Sequence, residues 1–392
     1  MNRSAPLDAQ DAPTTIGAVK GSAPSSRWWP RAMSVAAAIL ALMLLGYTAL
    51  WAVTAFQLRA GVLDWIEARQ AEGYRVAHSR IALSGFPAVA RVTVSAPAIA
   101  APDGRALGWS WAGGQAAIEA SPLQRDTVAL RLSGEDSVSI NVDGALRTYR
   151  GGAEELSLRA HGNRSPQSAS LTIRNLAMAA EEPGDVVEIE RLSASAEAAA
   201  GAPAPKPGLA YTARIEATGI QLPRQLELPL GEAIAGFSAA AMVSGPFPVR
   251  SDLPEALARW RESGGAAEFS QLSLRYGPLF LDGSGTASLD ADMQPVGTFM
   301  ARIQGFQKTL STLASRGLIN EQTAARATIA LTILSRPAAN GGPATLSVPL
   351  SLHDRRLSIG PLPLMVVPLI EWPRGPSPRT GQLSPPTAAA TR

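Results

Sequence analysis

The sequence predicts an α+β protein that is mostly antiparallel β. We expect an N-terminal transmembrane helix, followed by a long, curved, half-pipe-like sheet with a few packed helices. Two observations carry this prediction. Residues 33–56 form an apolar segment without a charged side chain. Most of the chain after residue 75 alternates apolar and polar residues with a period of two, which is typical of antiparallel strands with one buried and one solvated face.

The apolar segment 33–56 is long enough, at about 1.5 Å per residue, to cross a hydrocarbon core of roughly 30 Å. The residues before it carry four basic and two acidic side chains, so two of the chain's three net positive charges lie in this short tail. Basic residues flanking the N-terminal end of a span predict a cytoplasmic N-terminus. A cleavable signal peptide that ends near Val53-Thr54-Ala55 is the alternative, and both interpretations export the rest of the chain.

The segment after the membrane has helical periodicity over 57–71 and is expected to end at Gly73. Two further helical regions are predicted: residues 253–263, and a helix pair over 306–335 in which Asn320 caps the second helix.

Strands are predicted wherever apolar residues recur at every second position, and turns where Gly or Asp-Gly pairs separate such runs. The clearest alternating runs are 128–133, 156–159, 211–216 and 346–352. The pairs expected to form turns are Asp103-Gly104, Asp143-Gly144, Gly151-Gly152 and Asp282-Gly283.

The domain organisation follows from these segments. Residues 1–31 are expected to be a largely disordered cytoplasmic tail, 32–56 the signal anchor, 57–371 the exported domain and 372–392 a disordered proline-rich tail. The stretch GAPAPKPG at 201–208 is expected to be a linker or an exposed loop. The sequence leaves open whether the exported part is one sheet domain or two halves joined there.

The composition restricts the chemistry available to the protein. The chain has no cysteine, which excludes disulfides and thiolate chemistry, and its three histidines, His78, His161 and His353, are far apart in sequence. Ser110 lies in Gly108-Trp109-Ser110-Trp111, which lacks the second glycine of a nucleophile elbow. We therefore expect no catalytic residue, no metal and no cofactor. The nearly neutral exported part gives no support to nucleic-acid binding.

Several short motifs together resemble the bacterial domain-of-unknown-function family 2125. They are Gln57-Leu58-Arg59-Ala60-Gly61, Ser84-Gly85-Phe86-Pro87, Gly108-Trp109-Ser110-Trp111, Trp260-Arg261-Glu262-Ser263-Gly264-Gly265, the run from Leu272 to Leu279, and the run from Leu357 to Leu364. The resemblance covers roughly residues 45–370. It implies a protein anchored in the inner membrane of a Gram-negative bacterium with its bulk in the periplasm, and it supplies no activity.

One position departs from the family pattern. The last hairpin has Asp354-Arg355 where the family has Asp-Gly. A side chain at the second position is strained at positive φ, so we expect a different loop there.

Three functions are consistent with these features. The first is a non-enzymatic envelope protein that holds a lipid-like apolar ligand on a concave sheet face. The residues expected to line that face are Trp109, Trp111, Phe237, Phe299 and Ile303. The second is an interaction or scaffold module with an envelope protein as its partner. The third is a hydrolase at the membrane surface, for which the residues give the least support.

Overall fold

The computed structural model describes residues 29–102, 108–124, 126–142, 145–162, 167–180, 185–198, 211–245, 253–336, 344–359, 362–367, 369–370 and 372. Internal contacts divide the chain into two compact units, 1–49 and 50–392. Most of the predicted N-terminal tail, nearly all of the C-terminal tail, the 201–208 segment, and the turns predicted at Asp103-Gly104 and Asp143-Gly144 lie outside the described residues.

The first helix, α1, runs from Trp29 to Ala71 without a break. From Met33 to Gly46 its side chains are exposed, although most of them are apolar. Within the described residues it is the one helix long and apolar enough to cross a membrane, which makes it a candidate anchor. The predicted helical continuation over 57–71 is confirmed, and Gly73 follows the helix with a φ of 88°.

The second unit is built on an open antiparallel sheet, which confirms the predicted fold class. The described residues contribute twenty strands to it. They are β1 (Arg75–Ala77), β2 (Arg80–Ser84), β3 (Ala90–Ser95), β4 (Ala98–Ala100), β5 (Trp109–Ala112), β6 (Gln115–Ala120), β7 (Thr127–Ser133), β8 (Asp136–Val142), β9 (Ala145–Gly152), β10 (Glu155–His161), β11 (Ser168–Ala180), β12 (Val186–Ala198), β13 (Tyr211–Gln221), β14 (Ala233–Ser244), β15 (Ala266–Tyr276), β16 (Leu279–Leu289), β17 (Pro295–Gln304), β18 (Leu346–His353), β19 (Arg356–Ile359) and β20 (Leu362–Val366).

From β11 to β20 each strand pairs with the next one along the chain. The ten shorter strands before β11 follow the same meander, because consecutive short strands continue each other across a bend. Thus β3 pairs with β6, and β4 pairs with β5. In turn, β6 pairs with β7, and β5 pairs with β8. Both β9 and β10 pair with β11, so this long strand joins the two branches of the sheet.

The bends form a crease that continues into the longer strands. On β11 the crease is marked by Asn175, with a φ of 48°, and on β13 by Gly219, with a φ of 60°. At both positions the backbone has left the extended region that a regular strand requires. Two predicted turns were wrong: Gly151-Gly152 ends β9, and Asp282-Gly283 lies inside β16.

The register gives the sheet one apolar and one polar face, as the alternation predicts. One cross-strand row on the apolar face reads Leu83, Val92, Ile118, Leu130, Leu158, Leu171, Ala194, Ile215, Ala239, Leu272, Gly283, Ala301 and Val348. A neighbouring row on the other face reads Thr93, Ala117, Arg131, Ser157, Thr172, Ser193, Glu216, Ser238, Ser273, Asp282, Arg302 and Ser347.

Helices cover the apolar face at its two ends. At the first end, Leu58 and Val62 of α1 pack against a buried cluster that contains Val92 and Val94. At the other end, the helices α3 (Phe306–Ser315) and α4 (Glu321–Leu334) contribute Phe306 and Leu331 to a second cluster around Leu346 and Val348. The predicted helix pair is confirmed, and the side chain of Asn320 accepts a hydrogen bond from Thr323 N at the start of α4.

The predicted helix at 253–263 is also confirmed as α2 (Leu253–Glu262), which lies in the connection between β14 and β15. Its Trp260 is buried, and the indole Nε1 donates to the carbonyl oxygen of Ser244 at 2.7 Å. This bond ties α2 to the end of β14.

The last hairpin corrects the prediction of a different loop. Asp354 and Arg355 both adopt positive φ, 47° and 63°, and form a two-residue turn between β18 and β19. Positive φ costs a non-glycine residue about 1–2 kcal/mol. The turn is held by the C-terminal segment, since Val367 N donates to Arg355 O at 2.6 Å and Arg355 Nε donates to Val367 O at 3.1 Å.

Candidate ligand-binding groove

An apolar groove of about 410 Å³ lies on the sheet between the two ends that the helices cover. Residues from six strands, β10 to β15, line it: Leu158, Ala169, Leu171, Ala194, Ala196, Ala213, Ile215, Ala239, Ala241, Val243, Ala267 and Phe269. Ser170, Ser195 and Arg214 complete the lining. These three pair with one another in adjacent strands and belong to the polar face, so the groove is lined there by backbone.

Small side chains form the floor of the groove. Ala169, Ala196, Ala213 and Ala241 occupy one cross-strand row on four consecutive strands. The row beside it carries the larger Leu158, Leu171 and Ile215, with Ala194 between the last two and Ala239 at its end, so the alanine row lies lower than the row beside it. Neighbouring strands are about 4.8 Å apart, which gives a trough of roughly 14 Å across the four alanines.

The alanine row also extends toward the first strands. From Ala169 it continues away from Ala241, through Ala160, Val128 and Ala120, to Ala90 in β3. Ala90 is fully buried, whereas Val128 is 38% exposed and Leu158, in the neighbouring row, 39% exposed. The row is therefore covered near the first strands and open in the middle of the sheet.

The chemistry of the groove is that of apolar contact. Its apolar lining offers no acid, base or nucleophile on the groove face, and 410 Å³ lies within the volume range of small-molecule sites. Phe269 ends the alanine row, and its ring centroid lies 5.6 Å from that of Phe299.

The structure separates the five residues predicted from sequence into two groups. Trp109 and Trp111 lie on β5, which pairs with β4 and β8 and does not reach the groove. Trp111 Nε1 donates to Asp136 Oδ1 at 3.2 Å, and burial raises the pKa of the Asp136 carboxyl above its ordinary value. The Trp109 ring lies 6.3 Å from the ring of Tyr74.

Phe237, Phe299 and Ile303 lie on the apolar face of the sheet. Phe237 and Ile303 share one cross-strand row through Leu274 and Leu281, and Phe299 shares the row of Phe269. Phe299 does not line the groove itself, but its ring contacts the ring of Phe269, which does. Ile303 packs in the cluster under α3 and α4. As ligand-face residues these five remain a prediction.

Sequence reasoning missed the alanines that shape the groove. Aromatic residues were selected because they bury the most area, whereas a groove needs positions where little side chain fills the space. A signal was available in the runs Ala194-Ser195-Ala196 and Ala239-Ala240-Ala241, where small residues take the apolar positions of two strands, β12 and β14.

Several polar residues outside the groove have structural partners. His161 Nδ1 lies 3.0 Å from Thr127 Oγ1 at the end of β10, and Asp185 is buried and accepts from the Tyr149 hydroxyl at 3.0 Å. Burial and the neighbouring Asp185 raise the pKa of Tyr149. Within the described residues no group of three or more His, Asp or Glu side chains is placed to hold a metal ion.

Comparison with known proteins gives one match. A family model described as "Uncharacterized protein conserved in bacteria (DUF2125)" matches residues 51–368. Neither the curated proteins nor the solved structures contain a match to the chain. The match confirms the resemblance found in the sequence motifs, and it covers the whole groove.

Proposed function

Because the chain belongs to DUF2125, a bacterial family described as uncharacterised, we propose its function from the groove: the protein holds the apolar chain of a lipid-like ligand at the membrane. One observation carries this proposal. The sheet keeps a continuous apolar face over all its long strands, and helices cover that face only at its two ends among the described residues. The stretch between them is an apolar groove with an alanine floor.

An uncovered apolar surface in water is unfavourable by about 25 cal/mol per Å². A bound acyl chain removes this surface from water and needs no polar partner inside the groove. The open trough suits a chain more than a compact molecule, because it follows one cross-strand row beside a row of larger side chains and has no enclosing shell. In this function the protein is a binding protein and not an enzyme.

The candidate anchor α1 supports a location at the membrane, where such ligands reside. We place the N-terminus in the cytoplasm and the second unit in the periplasm, since the residues before the apolar segment carry the excess of basic side chains. The alanine row begins at Ala90 in β3, the strand on which α1 packs.

Site-specific photocrosslinking in intact cells tests the proposal. A benzophenone amino acid replaces Ala196 on the groove floor in the full chain, and the purified protein is analysed by mass spectrometry after irradiation. We expect an adduct with the mass of a membrane lipid. Ser195 is the matched control, because it is the neighbouring residue on the same strand and belongs to the polar face.

The two positions separate the outcomes. A lipid adduct at 196 that exceeds the adduct at 195 severalfold supports the proposal. Equal adducts at both positions, or none at 196, contradict it. A protein adduct at 196 would also contradict it, since the groove would then be an interface.

A second candidate function is an interaction module, and one observation favours it. On α4, Ile329 is 63% and Ile333 78% exposed. These two residues are one turn apart and form an apolar stripe on the outer side of the helix. The same benzophenone residue at Ile333 tests this function: a recovered protein adduct favours it, and lipid or no adduct opposes it.

A further inference from the structure

Two neighbouring loops at one end of the strands expose apolar side chains. The loop 85–89 joins β2 to β3, and residues 121–124 lie in the connection from β6 to β7. They lie side by side, because Ala90 at the start of β3 pairs with Ala120 at the end of β6. At their tips Phe86 is 54% exposed and Leu123 75% exposed.

Helix α1 meets the first of these loops at Trp51. The ring of Trp51 contacts the ring of Phe86 edge-on, with centroids 5.4 Å apart. Its Nε1 donates to the carbonyl oxygen of Val89 at 2.9 Å. The loop is therefore held at the level of Trp51 along the helix.

A span of about hydrocarbon thickness that begins at Met33 ends at the level of Trp51. The helical stretch from Met33 to Leu50 has no charged side chain and is about 27 Å long at 1.5 Å per residue, close to a hydrocarbon core of roughly 30 Å. Tryptophan is enriched at the interface between hydrocarbon and water, where its ring is buried and its N–H finds a partner. A span that ends at Trp51 puts the loop 85–89 in the head-group region.

The charges around the two loops fit that position. Residues 84–90 and 120–124 contain no charged side chain. Arg91, which follows the first stretch, and Glu119, which precedes the second, form an ion pair at 2.7 Å. In sequence, Arg125 follows the second stretch directly. Phe86 and Leu123 and the residues on either side of each are uncharged, so the two exposed side chains carry no charge of their own toward the hydrocarbon.

We propose that Phe86 and Leu123 insert into the outer head-group region of the bilayer that α1 spans, as a second membrane contact of the same chain. A single helix leaves the rest of the chain free to rotate about it, and a second contact beside it fixes one orientation. The contact rests on α1 being the anchor and is independent of any ligand in the groove.

Single-cysteine labelling tests this contact directly, because the natural chain has no cysteine. Leu123→Cys in the full chain is labelled with the environment-sensitive dye NBD and reconstituted into phosphatidylcholine–phosphatidylglycerol vesicles, with and without lipids that carry a shallow nitroxide quencher. Leu146→Cys is the matched control: it is a leucine 70% exposed, next to the β8–β9 connection at the opposite end of the strands.

We expect blue-shifted emission at position 123 and severalfold stronger quenching by the nitroxide lipid than at position 146. Phe86→Cys should repeat the result of position 123. Equal quenching at 123 and 146 would overturn the proposal. Blue-shifted emission at 123 without quenching would also overturn it, since another protein surface would then cover the loop. Melting of the labelled chains at the temperature of the unlabelled chain shows that the fold is retained.

Discussion

The crease in the sheet depends on Gly219, and replacing this residue tests the account of the fold. Gly219 has a φ of 60°, and it faces Glu190 across the β12–β13 ladder. A Cβ added to Gly219 would lie 2.7 Å from the Cβ of Glu190. Gly219→Ala therefore meets two separate penalties, a backbone conformation that disfavours Cβ and a close contact beside the neighbouring backbone.

Two other glycines separate these penalties. Gly264 also has positive φ, 75°, but nothing lies within 4 Å of its Cβ position, so Gly264→Ala should cost only the backbone term, about 1–2 kcal/mol. Gly61 lies in α1 with open space around it, and Gly61→Ala should gain up to about 1 kcal/mol of helix propensity. Gly219→Ala adds an overpacking term of about 1–3 kcal/mol to the backbone term.

Thermal melting of the full chain in detergent, monitored by circular dichroism, measures the order of stability of these variants. We expect Gly61→Ala to be at least as stable as the natural chain, Gly264→Ala lower and Gly219→Ala lowest. Glu190→Gly removes the opposing Cβ, so in the double variant it should restore the part of the loss that exceeds that of Gly264→Ala. Equal melting temperatures for Gly219→Ala and Gly264→Ala would refute the contact across the crease.

Three further predictions concern single side chains. Tyr276→Phe should lower the free energy of unfolding by about 1–3 kcal/mol in denaturant titrations, because the buried hydroxyl accepts from one backbone N–H and donates to one backbone carbonyl. Asn320→Ala should cost about 1 kcal/mol in the same titrations, and Asn320→Asp should keep the bond from Thr323 N; equal losses would contradict the cap. Burial raises the pKa of Asp136, so the folded chain binds more protons than the unfolded one above the ordinary pKa of 3.8, and the stability contribution of Asp136 falls as pH rises through this window. Asp136→Asn can still accept the Trp111 bond and should remove that fall; parallel pH profiles of melting temperature for both chains would disprove it.

Much of the fold was predictable because it depends on local patterns. The apolar length of α1, the cap at Asn320 and the two-residue alternation each act within a few residues of the chain. The alternation also predicted the polarity of the two sheet faces, since antiparallel pairing places equivalent positions of adjacent strands on one face.

The predictions failed where conformation depends on a distant strand. Gly151-Gly152 has the composition of a turn, yet it ends β9, where a Cβ on Gly151 would lie 1.9 Å from the carbonyl oxygen of Ala177. Arg355 was expected to be too strained for a tight turn, and its bonds to Val367, twelve residues further on, help hold it there. Neither partner is visible from the sequence around the residue.

The sequence by itself determined that this chain has an apolar helix and a sheet with one apolar face, because both properties follow from the spacing of apolar residues. Only the tertiary structure decided which part of that face stays open. The helices α1, α3 and α4 bury the two ends, and the cross-strand register places alanines from four strands in one row. A groove is the space that side chains leave between distant segments, so it exists only once those segments have packed.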